Sequence, residues 1–153
     1  MTRIVAGSAK GRVLKVPTRG TRPTSERVRE ALFSRLDHMG VLQGARVLDL
    51  YAGSGALGLE AASRGASKVE LVEKAPGAAK VILENIRATR LPAQCRMASV
   101  VSFLAGHSGQ TLEGDIDLVL IDPPYEQKSD YQTTLDTLAA AYKRFPSGTY
   151  LIW

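Results

Sequence analysis

Short apolar runs alternate with amphipathic stretches from residue 44 onwards. The runs are five or six residues long, which predicts strands that are covered on both faces of a sheet. They cover 46–51, 68–73, 94–98, 117–122 and 149–153. The stretches between them predict helices at about 55–64, 76–90, 99–106 and 130–145. This alternation predicts a doubly wound, mostly parallel α/β sheet whose ligands bind beyond the carboxyl ends of the strands.

Another helix precedes this region. It opens at Pro23 and Thr24, which are typical of a helix start, and Gly40 ends it. The apolar positions of this helix are Val28, Leu32 and Leu36. Those of the helix at 130–145 are Leu135, Leu138, Ala139 and Tyr142. We expect both sets to face the core.

Residues 3–18 predict a β-hairpin, in which the segments RIVAGS and RVLKVP flank a turn at Ala9-Lys10-Gly11. An isolated two-stranded hairpin is marginally stable in water, so we expect this one to lie on the main domain or on a partner. The chain is therefore expected to divide into an N-terminal arm, residues 1–22, and a main domain, residues 23–153.

The charge of the chain is distributed unevenly. The chain has 153 residues, of which 44% are hydrophobic and 23% charged, as is usual for one globular domain. Its net charge is +5, but residues 1–46 carry ten Lys or Arg and three acids, whereas residues 47–153 carry ten and twelve. This asymmetry predicts a polyanion-binding arm on a nearly neutral domain. The alternative is a solvated basic tail that keeps the protein soluble.

Cysteine and histidine are too few for a disulfide or metal framework. The single cysteine, Cys95, excludes an intrachain disulfide, and we expect it to be a buried apolar residue of the third strand. His38 and His107 lack a second ligand at metal-binding spacing, so no metal is expected. The sequence has neither the apolar run of a signal peptide nor the roughly 20 apolar residues of a membrane span, which predicts a cytoplasmic protein with no membrane partner.

The strongest local signal is a glycine turn after the first of the predicted parallel strands, within 47–58. Gly53 and Gly55 allow the backbone to approach a ligand, and Gly58 allows the following helix to pack close to the strand. These glycines fit the dinucleotide pattern G-x-G-x-x-G, and Glu73 lies 20 residues after Gly53, where an acid that binds ribose is expected. The pattern alone predicts a nucleoside cofactor without saying which one.

Asp49 favours one cofactor over another. It stands four residues before the first glycine, at the end of a strand, where a carboxylate attracts a cation and repels a pyrophosphate. S-adenosylmethionine (SAM) has a sulfonium, an ammonium and no phosphate, so Asp49 favours SAM over NAD. An NAD-type dehydrogenase remains the second interpretation, because the glycine pattern fits it too.

A second constellation ends the fourth strand of this region, at Asp122-Pro123-Pro124-Tyr125. The two prolines stop the strand and fix the backbone, which leaves the carboxylate and nearby carbonyls as acceptors. A planar base with an exocyclic amine suits this arrangement, because Asp122 and the Pro123 carbonyl can accept its N–H groups. Tyr125 can stack on the ring, which contributes roughly 1–3 kcal/mol. The alternative is a turn that only ends the strand.

These motifs resemble a known class of enzymes. D-P-P-Y together with D-L-Y-A-G-S-G-A-L-G is similar to the class I, SAM-dependent amino methyltransferases, which modify exocyclic nitrogens of bases. The N-terminal part, with R-I-V-A-G, G-R and T-R-P-T-S-E-R-V-R-E-A-L-F, resembles the RsmD family over about residues 1–105. Members of that family methylate guanine N2 of 16S ribosomal RNA. The resemblance implies this activity, this RNA and SAM for the present chain.

The tail, about residues 118–153, is more similar to a different family. The segments at 120–131 and 142–153 resemble the RlmJ family, which methylates adenine N6 in 23S ribosomal RNA. The two resemblances predict a chimera joined around 105–118 or a truncated chain, and the alternative is an unusual natural homologue. Adenine N6 of 23S RNA is therefore the alternative substrate.

The resemblance also implies a role for each matching residue. The cofactor's methionine moiety would contact Asp49, Gly53, Ser54 and Gly55. Its ribose would be held by Glu73, and its adenine would lie between Lys74 and Ser99. The pocket would be closed by Arg22, Pro23 and Thr24. RNA phosphates would meet Arg3, Lys10, Arg12 and Arg19. The catalytic residues would be Asp122, Pro123, Pro124 and Tyr125.

The resemblance also concerns the end of the sheet. Proteins of this class usually have a sixth and a seventh strand in this sheet, whereas the present sequence ends within the fifth, at 149–153. We therefore expect an exposed edge there, which favours self-association. A non-catalytic module that binds SAM or RNA is the third interpretation.

Overall fold

The computed structural model describes residues 2–18, 24–106, 116–123 and 129–152. Within these ranges the helices are α1 (Glu26–Met39), α2 (Ala56–Ser63), α3 (Pro76–Thr89), α4 (Val100–Leu104) and α5 (Ser129–Arg144). The strands are β1 (Thr2–Arg3), β2 (Val13–Leu14), β3 (Arg46–Leu50), β4 (Lys68–Glu73), β5 (Ala93–Met97), β6 (Leu118–Ile121) and β7 (Thr149–Ile152). From β3 onwards the elements follow the predicted alternation closely. None of the helices in the described ranges is long and apolar enough to cross a membrane.

Strands β3 to β7 form one parallel sheet in the order β5-β4-β3-β6-β7, which confirms the predicted architecture. Strand β3 is central, and its Asp49 lies opposite Leu71 of β4 and Leu120 of β6. The chain order reverses between β3 and β6, so this pair marks the switch point at which ligands of such sheets bind. The carboxyl ends of all five strands meet at that edge.

Helices cover both faces of the sheet and create two apolar clusters. One cluster contains Phe33 of α1, Leu59 of α2 and Ile82 of α3. The other contains Phe103 of α4 and Ala141 of α5. Burying a side chain of the size of Phe or Ile contributes roughly 1.5–3 kcal/mol, so the clusters fix the strands from both sides.

The N-terminal hairpin packs on α2, as the marginal stability of an isolated hairpin requires. β1 and β2 pair antiparallel, but each has only two residues, because the chain between them bonds to α2 instead. Glu60 accepts hydrogen bonds from the amides of Val5 and Ala6 at 2.9 and 3.1 Å. Ser63 accepts the amide of Ala9 at 3.0 Å and donates to the Ala6 carbonyl at 2.6 Å. The hairpin thereby joins the apolar cluster of α2 through Ile4, Ala9 and Leu14.

The prediction of which face of α5 packs on the core is wrong. Its buried residues are Thr134, Thr137 and Ala141. Three of the predicted positions are exposed, namely Leu135, Ala139 and Tyr142, and Leu138 is half-buried. The threonines can be buried because their hydroxyls have partners. Thr134 donates to the Asp130 carbonyl at 2.9 Å, and Thr137 shares a 2.7 Å hydrogen bond with the hydroxyl of Tyr51. Leu138 packs against the second apolar cluster, whereas the other three predicted positions face outward.

The buried face of α1 is also rotated from the predicted one. The buried residues are Arg29, Phe33 and Leu36, whereas Val28 and Leu32 are half-buried. Arg29 can be fully buried because Glu60 provides a carboxylate, which accepts from its Nε at 3.1 Å. A hydrophobicity pattern treats every arginine as a surface residue, so it cannot find such a pair.

The edge strands differ from the central ones in burial. Cys95 lies in β5 as predicted, but it is half-buried rather than buried, because β5 has a neighbour on one side only. Burial, with the nearby acids Glu73 and Glu70, raises the pKa of its thiol to about 11. Ile152 of β7, at the other edge, is 41% exposed. Self-association through this edge stays a prediction.

Candidate active site

Three acidic side chains lie at the carboxyl ends of neighbouring strands. Asp49 is the next-to-last residue of β3, Glu73 is the last residue of β4, and Asp122 follows β6 directly. The glycine turn leaves β3 at the same edge and opens α2. The structure therefore brings Asp122, the first residue of the second motif, to the edge at which the glycine turn lies.

The turn has the shape that its glycines allow. Gly55 has a φ of +85°, in the left-handed region, and is the N-cap of α2. At Gly58, a Cβ atom would come within 2.6 Å of Leu71 Cδ2 and 3.0 Å of Asp49 Oδ2. The amide of Gly58 donates to Asp49 Oδ2 at 2.9 Å. The missing side chain thus lets α2 pack close to β3 and β4.

Asp49 is buried beneath this turn, with 1% of its surface exposed. Burial raises the pKa of its carboxyl group to about 8, opposed by the Gly58 hydrogen bond and reinforced by the charges of Asp122 and Glu73. Without a ligand, Asp49 therefore holds a proton at neutral pH. A cation beside it would favour the ionised form, because opposite charges stabilise each other at short range.

Glu73 organises the backbone around it. Its Oε1 accepts the amide of Gly53 at 2.9 Å, and its Oε2 accepts the amide of Ala75 at 2.9 Å. Each oxygen of an ionised carboxylate can accept more than one hydrogen bond. These contacts therefore leave acceptor capacity for the ribose hydroxyls that the resemblance assigns to Glu73.

Asp122 is half-buried, and the following Pro123 is buried. Its Oδ2 accepts a hydrogen bond from the hydroxyl of Thr24 at 2.9 Å. Burial raises the pKa of Asp122, and the Thr24 hydrogen bond lowers it. The resemblance implies that Thr24 closes the cofactor pocket, whereas in the structure its hydroxyl lies on the candidate catalytic acid.

The other predicted cofactor residues lie along the same edge. Ser54 is buried in the turn, and its carbonyl accepts from the side chain of Asn85 at 3.1 Å. Lys74 is exposed directly after β4. Ser99 is the N-cap of α4, where its Oγ accepts the amide of Ser102 at 3.1 Å. Contacts between these residues and a cofactor stay predictions.

Two residues of this region are missed by the sequence patterns. Asn85 of α3 is buried and pairs with the backbone of Lys15, accepting its amide at 2.8 Å and donating to its carbonyl at 3.0 Å. Because Asn85 also reaches Ser54, it joins the arm to the glycine turn. Tyr51 begins the turn with a φ of +60°, which is unusual for a residue with a side chain. The sequence hints at the buried position of Asn85 only through its spacing, because it lies one helical turn after the apolar Ile82.

The predicted RNA-binding residues differ in their surroundings. Lys10 and Arg12 are exposed at the turn of the hairpin. Arg3 is exposed too, but its Nε pairs with Glu26 Oε1 at 3.0 Å. The predicted site residues outside the described ranges are Arg19, Arg22, Pro23, Pro124 and Tyr125. Within those ranges, no group of three or more His, Cys, Asp or Glu side chains could hold a metal ion.

The fold and the site together define a class. A central strand that ends in a glycine turn, beside a strand that ends in Asp-Pro-Pro, places the chain among the Rossmann-like, SAM-dependent methyltransferases, and solved methyltransferases share its fold. A hypothetical protein of Thermus thermophilus has a similar structure, with a TM-score of 0.81 and 35% identity over 99% of this chain and 85% of that one. SAM is the cofactor that these neighbours and relatives imply.

Within this class the chain belongs to the family described as conserved hypothetical protein 95, the RsmD family, whose model matches residues 2–145. Ribosomal RNA small subunit methyltransferase D of Escherichia coli K12 is 39% identical over 128 residues. The match covers 82% of this chain and 61% of that relative, so the chain spans less than two thirds of its length.

A shorter match supports the second resemblance. Ribosomal RNA large subunit methyltransferase J of Escherichia coli K12 is 56% identical over 36 residues, which are 24% of this chain and 13% of that relative. The RsmD-family match nevertheless runs through the predicted junction at 105–118. A chimeric origin therefore stays a prediction.

The donor set at the strand ends fits SAM. Asp49, Glu73 and Asp122 supply carboxyl groups, and the pKa of Asp49 is raised mainly by burial and further by the charges of Asp122 and Glu73. A cofactor with an ammonium and a sulfonium would compensate negative charge on these acids, whereas a pyrophosphate would add to it. The acids therefore distinguish SAM from NAD, which the glycine pattern alone cannot do.

Proposed function

We propose that this chain transfers a methyl group from SAM to an exocyclic amine of a ribosomal RNA base, and that the base is guanine, methylated at N2 in 16S RNA. The observation that carries the proposal is the position of Asp122, a half-buried carboxylate at the end of β6, next to the glycine turn. The resemblance of the N-terminal motifs to the RsmD family implies guanine N2, and the similarity to a small-subunit methyltransferase supports RNA of the small subunit. The resemblance of the tail to the RlmJ family implies adenine N6 of 23S RNA as the alternative, and the match to a large-subunit methyltransferase supports RNA of that subunit.

The residues at the strand ends act on the amine. An exocyclic amine is a weak nucleophile, because its lone pair is delocalised into the ring. Asp122 and the Pro123 carbonyl accept its two N–H groups, which favours the pyramidal nitrogen and frees the lone pair for attack. When bound, SAM would supply the methyl group as an electrophile on a positively charged sulfur: the C–S bond would break as the N–C bond forms, S-adenosylhomocysteine would leave, and the proton lost by the nitrogen would pass to Asp122 or to solvent. Orientation of the reacting groups contributes up to about 7–11 kcal/mol in favourable cases.

Asp49 makes SAM binding depend on pH. Its pKa of about 8 lies above the ordinary value of 3.8, so below pH 8 the ligand-free site is protonated. SAM favours the ionised acid, so we expect binding to release a proton and the affinity to rise with pH until about pH 8. The raised pKa of Asp49 also makes the free energy of unfolding depend on pH. Its contribution to stability is fully present below about pH 4, where the acid is protonated in the folded and the unfolded chain, and it is lost as the pH rises towards 8.

The measurement is calorimetric titration of SAM in buffers that differ in ionisation enthalpy. In Asp49→Asn the Gly58 amide keeps an oxygen acceptor, but position 49 no longer titrates, so we expect the proton release to disappear. An equal release in both proteins would show that another acid is responsible.

The arm supports RNA binding through a subset of its cations. Arg3 pairs with Glu26 at 3.0 Å. Lys15 pairs with Glu84 at 2.9 Å. The exposed side chains at the hairpin turn, Lys10 and Arg12, are therefore the described residues of the predicted set that are best placed to meet phosphates.

Removing these two charges is expected to weaken RNA binding and its salt dependence. In Lys10→Ala/Arg12→Ala, the slope of log K against log salt concentration falls by about one for each phosphate that the hairpin no longer neutralises. Filter binding of ribosomal RNA between low and moderate salt measures it. Lys143→Ala, which removes an exposed cation of α5, is the control and should leave the slope unchanged. Equal slopes in the native chain and the double variant would make the hairpin a solubility element.

The proposal as a whole is tested by tritium transfer from labelled SAM to unmodified 16S RNA, 23S RNA and ribosomal subunits. Digestion of the RNA and chromatography of the labelled nucleoside identify the methylated atom. Label at guanine N2 in 16S RNA is the expected result, and label at adenine N6 in 23S RNA would establish the alternative. A chain that binds SAM but labels neither RNA would be a binding module.

A further inference from the structure

We propose that Thr24 positions the Asp122 carboxylate for the attacking amine, a role that rests on the proposed methyl transfer. The hydroxyl of Thr24 donates to Asp122 Oδ2 at 2.9 Å, across 98 positions of the sequence. A hydroxyl on one oxygen limits rotation of the carboxylate and leaves the other oxygen as the acceptor for the amine. The pair thus connects the residue before the N-cap of α1 to the residue after β6.

The donor is held in place by the start of α1. Thr24 precedes Ser25, the N-cap of α1, whose Oγ accepts the amide of Val28 at 3.2 Å. The helix is in turn fixed by the buried ion pair between Arg29 and Glu60 of α2. The position of the Thr24 hydroxyl is therefore set by packed elements.

The acceptor is equally constrained. Ile121, at the end of β6, is 1% exposed and pairs with β3 on one side and β7 on the other. Pro123 follows directly and has no amide hydrogen to donate to the carboxylate. Thr24 thus supplies a donor to Asp122 from another part of the fold. Burial disfavours the ionised carboxylate, and this donor offsets part of that cost.

This role predicts a kinetic signature that differs from that of a pocket-closing residue. If Thr24 orients Asp122, loss of its hydroxyl slows the methyl transfer step and leaves SAM affinity unchanged. If it only closes the cofactor pocket, loss of the hydroxyl weakens SAM binding and leaves the rate at saturating SAM unchanged.

The test is a set of substitutions measured by tritium transfer at saturating SAM and by calorimetric titration of SAM. Thr24→Val keeps the shape of the side chain and removes the donor. We expect its kcat to fall roughly 10- to 100-fold, as for loss of a hydrogen bond to a charged group, at an unchanged SAM Kd. Thr24→Ser, which restores the hydroxyl, should recover most of the rate. Thr133→Val is the matched control, because that hydroxyl donates only to the carbonyl of Ser129 in its own helix.

The double variant Thr24→Val/Asp122→Ala separates positioning from a general loss of structure. If Thr24 acts through Asp122, its substitution has no further effect once Asp122 is alanine. Additive losses in the double variant, a native rate in Thr24→Val, or no recovery in Thr24→Ser would each overturn the inference while the proposed function stands. A native chain that methylates no RNA would overturn the proposed function and this inference with it.

Discussion

Replacement of Asp122 by alanine is expected to lower the rate of methyl transfer about 10²–10³-fold while the chain still binds SAM. In the proposed mechanism this carboxylate, which follows β6 directly, is the charged acceptor, and its loss would leave the amine with the Pro123 carbonyl alone. A loss of this size corresponds to about 2.7–4 kcal/mol of transition-state stabilisation, by analogy with removal of one oxyanion-hole donor. Single-turnover transfer of labelled methyl measures it.

Two variants make this result specific. Asp122→Asn keeps an oxygen acceptor but removes the charge, so we expect its rate to lie between those of alanine and the native acid. Asp136→Ala removes an exposed carboxylate of α5 and should leave the rate unchanged. Near-native turnover by Asp122→Ala would remove Asp122 from the chemistry, and an equal loss of SAM affinity would assign it to cofactor binding instead.

The sheet was predictable because its central strands are largely apolar. Strands covered on both faces contain few polar residues, so β3 and β6 stand out, and helices must lie between parallel neighbours. The faces of α1 and α5 were not predictable from hydrophobicity. Arg29 is buried on α1 because Glu60 neutralises it, and Thr137 is buried on α5 because Tyr51 provides a hydrogen bond. A pattern of single residues contains no information about such partners.

The candidate site likewise contains features that were predictable from the sequence and features that were not. Asp49, Glu73 and Asp122 were identifiable because each ends or nearly ends a strand, and the ends of parallel strands meet at one edge. The contact of Thr24 with Asp122 was not identifiable from the sequence, because it depends on how the start of α1 approaches β6. Spacing along the chain locates a strand end, whereas contacts between distant elements depend on packing.

Removal of one partner of the buried ion pair between Glu60 and Arg29 is expected to destabilise the fold strongly. Glu60 is fully buried, and its carboxylate accepts four hydrogen bonds. The donors are the amides of Val5 and Ala6, Arg29 Nε at 3.1 Å and Arg64 Nε at 2.9 Å. Glu60→Ala leaves the buried Arg29 without its carboxylate. We therefore expect the free energy of unfolding to fall by about 3–5 kcal/mol, measured by urea denaturation.

Matched variants locate the source of this loss. Glu84→Ala removes a half-exposed carboxylate, whose partner Lys15 is exposed, and should leave stability nearly unchanged because surface pairs contribute little. Arg29→Met leaves Glu60 with Arg64 and also removes Arg29 Nη1, which is buried without a partner among the described residues. We therefore expect Arg29→Met to lower the free energy of unfolding less than Glu60→Ala does. Hydrogen exchange of the Val5 and Ala6 amides should accelerate most in Glu60→Ala, because Glu60 is their acceptor. Unchanged exchange there would mean that the apolar contacts of the hairpin, rather than Glu60, hold it on α2.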